Sequence, residues 1–240
     1  MKIQILQQKI VSIIFQILIC FSFCSAQPVI TALPRWMVTV LATYSIPQAP
    51  TNRFIDHDSW GYQVEFQYRI QYNKPFLAGV YYHESTLSRY VLTYTQSSGN
   101  GDMRIKEKAN TRKIEPGLCA GFYPEVNWLI QPYLNGRIGF AIFQTSSILT
   151  DDDTQENIDR ISESTSTAPS YGLDVGFHIV PNIWYIRGDL RFGFSGNTSV
   201  DYLILDEKNA GTIGYPIDYF LRHSSSGKWL KITAGISYLF

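Results

Sequence analysis

The chain has 240 residues, with 20 Lys and Arg against 20 Asp and Glu, and 45% of it is hydrophobic. That balance carries no electrostatic footprint for nucleic acid, and of its three cysteines Cys20 and Cys24 lie near the N-terminus, leaving Cys119 without an intramolecular partner or a cysteine metal site. Beyond the N-terminal segment no stretch approaches the roughly 18 consecutive apolar residues of a membrane helix, so any span must be made of strands.

Lys2 and Lys9 precede an apolar run over 10–23, and Cys24-Ser25-Ala26 supplies the small residues that a signal peptidase reads. A signal peptide is therefore expected over 1–26, with cleavage before Gln27. The alternative, an N-terminal anchor, is opposed by the shortness of the run and by Gln16 within it. Residues 27–240 are enough for one barrel or sandwich. Without Lys2 and Lys9 this part carries 18 basic and 20 acidic side chains.

Extended segments are then expected near 36–46, 60–72, 76–96, 113–123, 128–144, 171–180, 183–194 and 229–240. The second alternates without a fault: Trp60, Tyr62, Val64, Phe66, Tyr68, Ile70 and Tyr72 against Gly61, Gln63, Glu65, Gln67, Arg69 and Gln71. Such a period of two over thirteen residues is a strand with two opposite faces. It is longer than the usual globular strand of about five or six residues and reaches the roughly nine to eleven that a tilted strand needs to cross a bilayer. Segments four to seven keep the same parity, whereas Leu41 and Leu77 fall on the polar side of segments one and three.

Asn73-Lys74-Pro75, Pro124-Glu125-Val126-Asn127 and Pro181-Asn182 form brief turns. The connections near 47–59, 97–112, 145–170 and 195–228 are longer and polar. Short links at one end of an up-and-down meander and long ones at the other are the pattern of outer-membrane barrels.

A soluble lipocalin-like barrel and a membrane barrel share this alternation and differ in which face is enclosed. Two features favour an enclosed polar face. Glycines crowd it, including Gly61, Gly79, Gly117, Gly139, Gly176 and Gly193, where on a solvated surface they would only weaken strands. Trp60, Tyr72, Phe76, Trp128, Trp184, Phe194 and Tyr238 sit on the apolar parity near strand ends, where interfacial girdles form. The last segment, ITAGISYLF, alternates up to a terminal aromatic, with Ile236, Tyr238 and Phe240 on one face.

NWLIQPYLNGRIGFAIF, YGLDVGFHIVPN and ITAGISYLF give residues 36–240 a resemblance to the outer-membrane protein β-barrel family, the small eight-stranded OmpA/OmpX/OmpW-type barrels of Gram-negative bacteria. The resemblance implies an all-β, eight-stranded antiparallel up-and-down transmembrane β-barrel with short periplasmic turns and long extracellular loops. It implies an integral outer-membrane protein, monomeric, in contact with outer-membrane lipids and lipopolysaccharide. The closing Ile236, Tyr238 and Phe240 resemble the signal read by the barrel-assembly machinery. No cofactor or metal is expected, and no nucleic acid.

On this reading Glu65, Arg69, His83, Glu115, Arg137, Asp174, His178, Arg187, Asp189, Arg191 and Lys231 share a narrow lumen, which an eight-stranded barrel fills with its own side chains. A network of ion pairs that plugs the barrel is the expected outcome, with a narrow small-solute channel as the alternative. Asp151, Asp152, Asp153, Glu156, Asp159 and Glu163 cluster in one connection, without the glycine of an EF-hand, and read as a solvated acidic loop. Arg104, Lys106, Lys108 and Arg112 could meet lipopolysaccharide phosphates. Arg222-His223-Ser224-Ser225 resembles the His-x-Ser element of outer-membrane lipid A deacylases, with Ser225 as nucleophile and His223 as base. Ser226 departs from that family's asparagine, and backward projection of the last strand puts 223 and 225 on the lumen side. A non-enzymatic role is the primary expectation.

Overall fold

In a computed structural model the described residues are 34–53, 55, 58–71, 74–98, 101–124, 129–154, 156–180, 185–205 and 220–240. The expected signal peptide 1–26, Tyr72, Trp128 and Trp184, and most residues of the three brief turns lie outside them.

Eight strands are present: β1 (Trp36–Pro47), β2 (Ser59–Arg69), β3 (Phe76–Ser98), β4 (Gly101–Phe122), β5 (Ile130–Asp151), β6 (Asn157–Ile179), β7 (Ile186–Leu205) and β8 (Phe220–Leu239). Each pairs antiparallel with the next, and β1 pairs with β8, so the sheet closes on itself. The seam extends to Trp36 and Phe240, whose backbones exchange hydrogen bonds of 2.8 and 3.0 Å. Following the register from Thr43 in both directions reaches Gly176 one way and Ser166 the other, a displacement of ten residues along β6. With eight strands this stagger sets a tilt of about 40° and an interior that side chains can fill.

The enclosed face is the polar one. Phe66 and Ile138 are 41% and 63% exposed, whereas Arg69, Arg137 and Arg191 are 4%, 4% and 1% exposed. Aromatic pairs mark two levels of the outer wall. At the end where Trp36 and Phe240 meet lie Trp36 against Phe66 and Tyr68, Phe76 against Phe122, and Tyr238 against Tyr185 and Phe240. At the other level lie Tyr44 with Trp60, Tyr62 with Tyr82, and Tyr171 with Phe194. Along β3 the span from Phe76 to Thr86, which is opposite Trp60, rises about 25 Å at ~2.5 Å per tilted residue. That is the height of an outer-membrane apolar band.

The strands differ from expectation above this band. Much of 97–112 and 145–170 forms paired strand rather than loop: β3 meets β4 up to Ser98↔Gly101, and β5 meets β6 up to Thr150↔Asn157. Polar residues stand on both faces there, so the hydrophobic alternation that betrays a strand fades while the backbone ladder continues. β1 and β2 stop at Pro47 and Ser59, and the wall is lower on that side.

Candidate functional site

Each strand turns every second side chain inward, and the stagger brings residues far apart in sequence to one height. In the lower half of the barrel Glu65 on β2 accepts hydrogen bonds from Gln63 Nε2 (2.7 Å), Gln67 Nε2 (3.3 Å), Asn135 Nδ2 (3.1 Å) and Arg191 Nη1 (2.8 Å). Arg191 also holds Asp189 in a forked pair, Nε to Oδ1 at 3.1 Å and Nη2 to Oδ2 at 2.9 Å. Asp189 further accepts from Tyr133 Oη and from Ser237 Oγ, and His178 Nε2 lies 3.4 Å from its Oδ2. Arg137 bridges Gln63 and Asp174, the latter at 2.7 Å.

One step higher, Glu115 on β4 receives three partners: His83 Nδ1 at 2.7 Å, Lys231 Nζ at 3.0 Å and Lys113 Nζ at 2.9 Å. Lys113 also stands 3.5 Å over the Trp229 ring. Four buried carboxylates, Glu65, Glu115, Asp174 and Asp189, thus face four buried cations, Lys113, Arg137, Arg191 and Lys231. Nearer Trp36 and Phe240, Arg187 donates to Gln131 Oε1 (3.1 Å), and Arg69 to the carbonyls of Pro34 (3.2 Å) and Lys74 (2.8 Å).

Apolar clusters bracket this network. Met37, Leu77, Tyr123, Tyr133 and Leu239 lie on one side of it, with Tyr123 stacked on Tyr133 and on His178. Leu87, Ala141, Phe143, Ala168, Val200 and Trp229 lie on the other. Ile55 completes that second cluster from the β1–β2 connection, which is tied to β8 by Gln48 N to the Lys228 carbonyl and by Lys228 N to Thr51 Oγ1. Leu41 and Leu77, which break the polar parity in the sequence, are buried inside, Leu77 within the lower cluster.

Small residues make room. A Cβ on Gly176 would run into the Tyr133 ring, and one on Gly193 into the Asp174 carboxylate.

Every charged residue read from the sequence as lumenal is buried on the inner face. Sequence reasoning misses Lys113, the third partner of Glu115, and the neutral groups Gln63, Gln67, Tyr133 and Asn135 that complete the shells. All five share the inward parity of strands visible in the sequence; a search restricted to charges within strand interiors passes over them.

The other candidates separate. Asp151 caps the β5–β6 turn, accepting from the Asp153 and Thr154 amides at 2.9 and 3.3 Å, and those bonds hold its carboxyl below the usual range. Asp152 lies 3.3 Å from Arg104 and 3.9 Å from Lys106. Among the described residues no group of acidic, histidine and cysteine side chains is arranged to hold a metal ion. Ser225 lies opposite buried Val200 on the inward parity, and its Oγ donates to the Ser226 carbonyl at 3.2 Å. The backbone of His223 pairs with Tyr202, and its side chain is outside the described residues.

A closed barrel with charges sealed inside and aliphatic and aromatic side chains outside is stable only where hydrocarbon replaces water around it. The protein is an integral membrane β-barrel, with the inverted polarity that outer-membrane barrels have. No family model matches the sequence, and no curated protein matches it. In fold it is similar to Neisserial surface protein A, at 12% identity over 85% of this chain and 97% of that one, with a TM-score of 0.48. It is also similar to a major outer membrane protein of Thermus thermophilus (13% identity, 85% and 99% covered, TM-score 0.45) and to OprG of Pseudomonas aeruginosa (13%, 87% and 97%, TM-score 0.39). The membrane assignment rests on the barrel's own inverted polarity.

Proposed function

We propose that this protein is a non-enzymatic, monomeric barrel with a plugged lumen, acting as an envelope scaffold and a platform for surface contacts. The observation that carries the reading is the matched set of buried charges held between two apolar clusters. A solute crossing the lumen would have to part Trp229, Phe143 and Ile55 at one end and the Tyr123–Tyr133–His178 stack at the other. Ser225, on the inward parity, has no route to an ester in the leaflet.

In this reading residues 1–26 are a signal peptide, the tall ends of β3 to β8 face outwards from the cell, and the β2–β3, β4–β5 and β6–β7 turns face the periplasm. Ile236, Tyr238 and Phe240, all on the outer face, serve as the insertion signal for the barrel-assembly machinery. The surroundings are outer-membrane lipids and lipopolysaccharide.

Planar-bilayer recording of the purified full chain tests closure: no unitary current steps are expected, and an ohmic step from the wild-type protein overturns it. Orientation is tested separately, by labelling intact cells carrying Asp153→Cys with a membrane-impermeant thiol reagent. Labelling is expected, because Asp153 is exposed in the β5–β6 turn while the native Cys119 is buried. Labelling only after lysis would reverse the topology.

A further inference from the structure

Above the upper aromatic level the outer wall changes chemistry within one strand. Ile114 and Leu118 on β4 face hydrocarbon, whereas the next outward positions along the same strand are Arg112, Asn110, Lys108, Lys106 and Arg104. On neighbouring β3, Arg89 is exposed opposite Asn110. The level of the boundary is fixed by Glu84, which accepts hydrogen bonds from Tyr62 Oη and Tyr82 Oη, both at 2.9 Å, and lies 3.5 Å from Arg112. By the ~2.5 Å rise of a tilted residue Arg112 stands about 5–10 Å above the tyrosines, at the depth of the phosphates of an outer-leaflet lipid, and Arg89 and Lys108 stand about 5 and 10 Å higher, within the reach of long cationic side chains.

The charges do not cancel. Asp152 serves Arg104 and Lys106 at the top, and Glu84 serves Arg112 at the bottom. Among the described residues, Arg89 and Lys108 have no carboxylate partner. They lie on the diagonal flanking Asn110, at a separation of roughly 7–8 Å, which long cationic side chains span easily. Two unpaired cations with a third beside them and an amide between form a surface suited to a phosphate monoester, with Val80 and Leu118 below to meet its acyl chains.

We infer that Arg89, Lys108 and Arg112 form a binding surface for the phosphorylated headgroup of an outer-leaflet lipid on the β3–β4 wall. The inference rests on the outward orientation proposed above for the tall strands, and its test is independent of that orientation. Full-length protein in detergent micelles is titrated with bis-phosphorylated lipid A, with the same lipid after enzymatic dephosphorylation, and with inorganic phosphate as competitor. Wild type binds the phosphorylated lipid about tenfold more tightly than the dephosphorylated one, and Arg89→Ala/Lys108→Ala removes that difference. Lys228→Ala, an exposed cation on β8, leaves it unchanged, and heat-modifiable gel mobility verifies that all variants are folded. Equal affinity of wild type for the two lipids overturns the inference, as does a double variant that keeps the difference. Complete displacement by inorganic phosphate at a concentration equal to the lipid's overturns it too, because the surface would then read free phosphate.

Discussion

Glu115 shows how one side chain governs the lumen. Its two oxygens receive Lys113, Lys231 and His83, all buried, so its removal leaves two buried ammonium groups without their ion-pair partner. Losing one member of a buried ion pair costs about 3–5 kcal/mol. Glu115→Ala is accordingly expected to lower the unfolding free energy of the heat-modifiable form, measured by urea titration, by an amount in that range. A shift below about 1 kcal/mol, the worth of an exposed pair, would mean that water reaches the site. Gly176→Leu acts by a different route: the added side chain collides with Tyr133, itself fixed between Tyr123 and His178, and overpacking of this kind costs about 1–3 kcal/mol. The same unfolding assay reads it, and Gly188→Leu, which lies in ordinary van der Waals surroundings, should be milder. The charged half of this network is legible in the sequence because alternation alone assigns Glu65, Arg137, Asp189 and Arg191 to one face. What alternation does not give is height. The closeness of Glu65 to Arg191, 126 positions apart, comes from the ten-residue stagger, which no local pattern encodes.

At the level of strands, β4 is the informative case. Its lower half, Ile114 to Phe122, alternates visibly, while its upper half, Gly101 to Lys113, reads as a loop from hydropathy. The upper half also alternates, with Ile105, Glu107, Ala109 and Thr111 buried and Arg104, Lys106, Lys108 and Arg112 outside. Because an acid and a hydroxyl stand among the inward residues and cations fill the outward ones, hydropathy carries no period there. The polar upper half of β6 is hidden in the same way, and so its pairing with β5 escapes the sequence pattern. This extension above the band should be dispensable for the barrel. Replacing 93–106 by a two-residue Asn-Gly turn, which suits a tight hairpin and keeps Leu92 opposite Glu107, is expected to leave heat-modifiable mobility intact. Loss of folding would place part of the barrel's nucleus in the projecting hairpin.

For the molecule as a whole, the inverted polarity makes equal exposure unequal in consequence. Val40 on β1 and Ile158 on β6 are both exposed, yet Val40 lies between the two aromatic levels and Ile158 beyond the upper one. An arginine at the bilayer midplane costs about 2–4 kcal/mol, and near the interface or beyond it little. Val40→Arg should therefore destabilise the barrel in lipid by that amount, measured by reversible unfolding in vesicles, whereas Ile158→Arg should be within about 0.5 kcal/mol of wild type. Equal tolerance at both positions would mean that water, not hydrocarbon, surrounds β1.

With the lumen sealed between its two apolar clusters, as proposed, the protein stands in two ionic media at once. Raising the salt concentration shortens the reach of Arg89 and Lys108 to a few ångströms, while the carboxylates a single sheet's thickness away, buried between the clusters of Trp229 and Phe143 and of Tyr133, are expected to be screened far less. Brine should therefore strip bound anions from the flank long before it loosens the interior.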